Sequence, residues 1–354
     1  MASDNIVAET ATRIFRDLCD PQAVSKAADG GWKTPAWSAL EDAGLALAWV
    51  PEELGGAGAG LADGFAVLRE AGRFAVPLPV AETMLAGWLL GRTGISSPRG
   101  AMSCGPTRAN EQVTLTKGGT LAGRLRAVPF AKDAKHLSIL VQRESGGAAV
   151  ALVGAGTVRI ADGASIAGDA LNAVNFDGVR PIAVRDAPIG IDGDSLLLMG
   201  AAVRAMQMAG ALEAILAVSV AYANERVAFE RPIAKFQAVQ HNLARLAGEV
   251  AVAMAAAGSA ADTLANATTF DESVFLETAA AKIRVGEAAG EGAGIAHQVL
   301  GAIGFTREHT LHRFTQRLWA WRDDFGNESY WALKLGNLVA AKGADGLWPM
   351  LAAR

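Results

Sequence analysis

The chain has 354 residues, 51% of them hydrophobic, a formal charge of -4 and only 19% charged residues. No basic stripe stands out, which argues against nucleic acid as a partner, and the length is long for one core, so two or three domains are expected. Two isolated cysteines, Cys19 and Cys104, form neither a metal spacing nor a disulfide framework and fit a reducing, cytoplasmic setting.

In chain order, the opening residues alternate charge and apolar groups in a helical rhythm, without the apolar run of a signal peptide. Residues 4 to about 95 read as helices. Trp37, Leu40, Gly44, Leu45 and Leu47 keep helical spacing up to Val50-Pro51, and a glycine-rich loop follows at Glu52–Gly58. From about 98 to 185 short β-branched runs bounded by Gly, Asp and Lys predict a small antiparallel β-domain. From Ser195 helices return almost to the end, and the run Met206 to Tyr222 is too short and too rich in small residues for a membrane span. Helices, strands, then helices predict an α+β chain of three parts: residues 1–97, 98–190 and 191–354.

Two segments invite a chemical reading. Arg226 stands at a helix end, followed by a tight turn and then Phe236, Gln237 and Gln240. Its guanidinium suits a phosphate; equally, it could only cap the helix. In the second segment, Gln298 leads into Gly301 and Gly304, which would let a backbone approach a ligand. No strand precedes these glycines, so they are not a Rossmann turn, and alone they read as a helix C-cap. The five histidines, His309 and His312 among them, show no metal spacing, and no metal is expected.

Taken together, the chain resembles the acyl-CoA dehydrogenase family. The resemblance runs through Trp37, Leu40, Glu41, Gly44, Leu45, Val50, Pro51, Glu52, Gly55, Gly56 and Gly58. It continues at Arg226, Phe229, Ile233, Phe236, Gln237, Gln240, Leu243 and Ala244, and closes at Gln298, Leu300, Gly301, Gly304, Phe305, Thr306 and Glu308. It implies an N-terminal helical domain, a middle β-domain and a C-terminal four-helix bundle. It also implies FAD, an acyl-CoA substrate oxidised between Cα and Cβ, an electron-transfer flavoprotein as acceptor, and a homo- or hetero-oligomer away from membranes. Carried over, Arg226 would meet the FAD pyrophosphate, Phe229 the adenosine half, and Gln237 the dinucleotide. Gln298, Gly301 and Gly304 would cradle the ADP part of a flavin bound mainly by a neighbouring subunit.

The pattern breaks at the catalytic base. The family's glutamate position falls at Phe325, before Gly326, and the alternative position on the first C-terminal helix falls at Gly200, followed by Ala201. The flavin-stacking tryptophan position falls near Ala127. Asp323, Asp324 and Glu328 are candidate replacements, with Arg322 beside them as a partner; they also read as solvated helix-end carboxylates. The small residues Gly200, Ala201, Ala202 and Ala205 would leave room for a bulky acyl chain. Two enzyme readings result: a subunit whose partner brings the base, resembling the short chains of sterol side-chain dehydrogenases, or a homo-oligomer with its base displaced to Asp323 or Asp324. A third is a scaffold that keeps the fold without catalysis.

Overall fold

The computed structural model describes residues 6–27 and 29–352; the sequence rhythm of residues 1–5 lies outside them. Five helices come first: α1 (Ile6–Leu18), α2 (Pro21–Lys26), α3 (Lys33–Asp42), α4 (Leu61–Arg73) and α5 (Val80–Gly91). α4 has a polar and an apolar side, and it lays the apolar one, with Phe65, Val67 and Leu68, into the core. α5 is apolar all round and is buried all round.

Eight strands follow: β1 (Met102–Gly105), β2 (Val113–Leu115), β3 (Leu121–Pro129), β4 (His136–Arg143), β5 (Ala148–Gly154), β6 (Arg159–Ala161), β7 (Leu171–Asn175) and β8 (Ala183–Asp186). They form one sheet in the order β6-β7-β3-β2-β4-β5-β8, with β1 also on β4. The expected antiparallel domain is therefore mixed. β1 and β2 both run parallel to β4, β1 opposite His136–Ile139 and β2 opposite Gln142 and Arg143. Pro106 has no N–H to continue β1, so the chain leaves β4 there and rejoins it further along as β2, which then fills the place between β4 and β3. The sheet has its own core around Val113, Leu125, Ile139 and Phe176, while Leu140, Val150 and Leu152 join the core of the helices.

The C-terminal helices are α6 (Gly193–Glu225), α7 (Gln237–Asn266), α8 (Glu272–Leu300), α9 (Leu311–Asp323), α10 (Glu328–Lys342) and α11 (Ala344–Ala352). A two-strand ribbon, β9 (Val227–Ala228) and β10 (Arg231–Pro232), joins α6 to α7. α6 is the central rod. It starts on a capping box in which Ser195 N–H donates to Asp192 and Asp192 N–H donates to the Ser195 hydroxyl, at 2.9 and 2.8 Å. α6 and α7 are long and apolar enough to cross a membrane, yet α6 is mostly buried inside this fold. α4 crosses α6 at backbone contact: a Cβ on Gly72 or Gly210 would overlap the carbonyls of Gln207 or Arg69. The small residues of α6 thus serve packing. Ala201, Ala202 and Ala205 are buried in that core, so the room expected from them for a bulky acyl group is taken up by neighbouring helices.

Candidate active site

A cavity of about 640 Å³ lies between the sheet and the C-terminal helices. Its walls include Pro129 and Phe130 at the end of β3, the β6–β7 loop with Ala164 and Asp169, Leu171 at the start of β7, Trp319 to Asp323 of α9, and Asp324 just after it. Arg317 holds the loop down by donating to Asp169 at 2.6 Å, in a pair that is nearly buried on both sides. Ala127, at the expected tryptophan position, is buried in β3. The aromatic surfaces on the cavity come instead from Phe130, Trp319 and Trp321.

A buried charge cluster reaches the wall of that cavity, and of its members the sequence reading named only Asp324. The Arg204 guanidinium on α6 donates to Asp324 at 2.9 Å, to Gln207 at 2.6 Å and to Glu82 of α5 at 2.6 Å. Burial pushes the Glu82 carboxyl up, with the attraction of Arg204 opposing it. Arg204 itself is disfavoured by burial but held above its ordinary range by the two carboxylates. A lone arginine in the apolar run of α6, and a lone glutamate in that of α5, were the available signals.

The two base positions of the resemblance meet in space. Phe325 is 1% exposed, and a Cβ on Gly200 would overlap its ring. Phe325 stands at a φ of 54°, a strained region for an aromatic residue. Three sets of hydrogen bonds hold it there. Trp331 donates its indole N–H to the Phe325 carbonyl at 3.0 Å. The buried Lys282 ammonium donates to the carbonyls of Trp321, Arg322 and Gly326 at 3.2, 2.7 and 2.8 Å, satisfying groups that the end of α9 leaves open. Asn327 caps α10 by accepting from Tyr330 N–H at 3.0 Å. Burial lowers Lys282 to about 8.

The three candidate carboxylates separate. Asp324 is bound to Arg204, and Glu328 accepts from Arg322 at 2.6 Å, so these two are ion-paired and not free helix-end groups. Asp323 is exposed on the cavity wall. Cys104 and Cys19 are buried thiols that desolvation pushes up to about 12, which leaves them unreactive.

The other candidate residues gather at the far end of α6. Gly200 and Arg226 are 26 residues apart on the α6 path, about 39 Å at helical rise. Arg226 is exposed, and among the described residues its guanidinium makes no ion pair or hydrogen bond; only its backbone N–H ends the helix, by donating to Tyr222 O at 2.8 Å. The β9–β10 ribbon then turns through Phe229 and Glu230, both at positive φ, 51° and 64°. Such turns favour Asn-Gly, and here a phenylalanine that is 89% exposed is carried on the tip. Gln237 and Gln298 are exposed at the start of α7 and in the last turn of α8. Tyr222 meets His309 at 6.2 Å, so the ends of α6 and of the α8–α9 connection adjoin. Gly301 has φ 66° and open space where a side chain would stand. Gly304 differs: it is buried, and a Cβ there would press on Leu311, His297 and Leu300.

Comparison with known proteins identifies the family and the fold. The acyl-CoA dehydrogenase N-terminal domain matches residues 2–97, and the acyl-CoA dehydrogenase C-terminal domain matches residues 194–322. The chain belongs to the acyl-CoA dehydrogenase family, whose cofactor is FAD. It is 30% identical to acyl-CoA dehydrogenase FadE34 of Mycobacterium tuberculosis over 319 residues, 88% of this chain but only 42% of that protein. It is 29% identical to acyl-CoA dehydrogenase IpdE2 of the same organism over 315 residues, 87% of this chain and 88% of that one. The ChsE4–ChsE5 complex of M. tuberculosis contains a chain of the same fold, with a TM-score of 0.83 at 23% identity, covering 96% of this chain and 98% of that one.

Proposed function

We propose that the chain takes part in flavin-dependent α,β-dehydrogenation of an acyl-CoA thioester as one subunit of a hetero-oligomer, completing the FAD site of a partner that carries the catalytic base. The observation that carries this reading is the contact of Phe325 with Gly200. Both places where the family keeps its base are apolar, and each fills the other's space. Asp324, the nearest carboxylate, is committed to Arg204.

The far end of α6 fits FAD. Arg226 offers an unpaired guanidinium fork for the pyrophosphate, and Phe229 presents an open ring for the adenosine half. Gln237 and Gln298 supply amides, and Gly301 leaves room for close backbone approach. Gly304 would act through the shape of its turn. When bound, FAD accepts the β-hydride of the substrate, and protein groups supply position and charge. A base position and a pyrophosphate group about 39 Å apart on one helix belong to two different flavins, which suits a site shared between subunits. ChsE4–ChsE5 and the steroid acyl-CoA dehydrogenase Tcur3481–Tcur3483 are two-chain assemblies of this fold. On this reading an electron-transfer flavoprotein reoxidises the flavin, in the cytoplasm.

One observation favours a second reading, a self-sufficient homo-oligomer: Asp323 is exposed on the cavity wall and could serve as a displaced base. A visible spectrum of the chain purified alone, followed by anaerobic titration with acyl-CoAs, separates the two. The subunit reading expects no flavin, or flavin that no thioester bleaches, and bleaching only after co-expression with a fuller dehydrogenase chain. Bleaching by the single chain would overturn it and make Asp323→Asn the next variant. A colourless preparation both alone and with such a partner would leave a scaffold.

A further inference from the structure

His297, which no motif of the family resemblance includes, stands one residue before Gln298 and is 8% exposed. Its ring lies parallel to Phe305, with centroids 4.1 Å apart and planes at 18°. Trp319 lies 6.0 Å away at 20°. Nε2 is 3.1 Å from the Thr315 hydroxyl, while Nδ1 is buried and has no hydrogen-bond partner among the described residues. That bare nitrogen would sit 3.2 Å from a Cβ on Gly304. Thr315 donates to Leu311 O at 3.4 Å, which leaves its oxygen to accept from Nε2–H and makes the neutral Nε2–H tautomer the one that fits. Imidazole thus fills the space that Gly304 leaves, and the backbone N–H of Gly301 donates to the His297 carbonyl.

We infer that His297 is a positioning residue for FAD: by stacking on Phe305 it fixes the Gly301–Phe305 turn, and so the glycine against which the ADP half is held. Phe305 is 70% exposed, so little else restrains it. Trp319 also lines the large cavity, so the same imidazole touches both the nucleotide turn and the cavity wall. This inference rests on the far end of α6 being the FAD end.

The test compares two variants in the flavin-loaded assembly as purified. His297→Gln keeps a donor for Thr315 and removes the stack; His297→Phe keeps the stack and removes the donor. The readouts are the FAD dissociation constant, followed by recovery of flavin fluorescence, and the thermal unfolding midpoint of the flavin-free protein. The expected result is weakening of FAD binding by about tenfold in His297→Gln, the scale of one aromatic pair. His297→Phe should stay within about twofold of the parent, with the two unfolding midpoints not following the same order. Equal weakening by both variants, weakening by neither, or loss in His297→Phe alone overturns the inference. Arg226→Ala serves as the reference. If it releases FAD and His297→Gln does not, the inference about His297 alone falls. If it too leaves FAD bound, the FAD-end reading falls, and the inference falls with it.

Discussion

The two ends of α6 are built in opposite ways. At Gly200 the helix is closed: an aromatic ring fills the glycine, an arginine is shared by Glu82, Asp324 and Gln207, and a buried lysine fastens the connection from α9 to α10. At Arg226 the helix end is open: among the described residues the guanidinium makes no ion pair or hydrogen bond, Phe229 is 89% exposed with only its edge against Phe236, and the ribbon turn is held in a conformation that suits glycine. The closed end uses its polar groups for stability. The open end leaves its polar groups to solvent and holds its turn in a strained conformation, which is the kind of place where a ligand or partner can make new contacts.

The sharpest way to break this contrast is Arg204→Met. It strands two carboxylates at the closed end and should cost about 3–5 kcal/mol, read from the urea midpoint; a loss under about 1 kcal/mol would mean the cluster does not hold that end together. Arg226→Ala should do the reverse. FAD release should rise by roughly 10- to 150-fold, the worth of a hydrogen bond to a charged group, with stability unchanged to within about 0.5 kcal/mol. Next in size is the double change Phe229→Asn with Glu230→Gly, which gives the ribbon the residues its turn prefers. It should stabilise the chain by about 1–2 kcal/mol while weakening FAD, and a loss of stability would refute the strain at the tip.

The remaining test concerns pH. Lys282 titrates at about 8 in the folded chain against an ordinary 10.5. The unfolded chain therefore keeps its proton over that interval while the folded chain sheds it, so the contribution of Lys282 to stability rises with pH from 8 to 10.5. The urea midpoint of the parent relative to Lys282→Met should climb across that window, and a level difference would remove the titration from Lys282.

Much of this was legible in the sequence, for definite reasons. Helical periodicity, the Val50-Pro51 break and the β-branched runs between 98 and 185 are local signals, and they placed the helices and the sheet. The parallel pairing of β1 and β2 with β4 was hidden, because pairing direction is set by strands distant in the chain. At the site, it was the resemblance to the family that singled out Phe325, Gly200 and Arg226. The charge cluster was hidden: Glu82, Arg204 and Asp324 lie far apart in the chain and meet only when α5 and the α9–α10 connection pack on α6. Gly304 was read as a place for ligand approach, and space there is claimed by Leu311 and His297. A histidine seven residues before a glycine carries no sequence signal of that kind.

The length of α6 has a consequence for descent. On the proposed reading its two ends serve different flavins, about 39 Å apart, so a substitution at one need not disturb the other. After a gene duplication, a copy of such a rod that loses the carboxylate at one end still offers the other end to its sister. A rod with two independent ends is thus a route from a self-sufficient chain to a pair of chains that need each other.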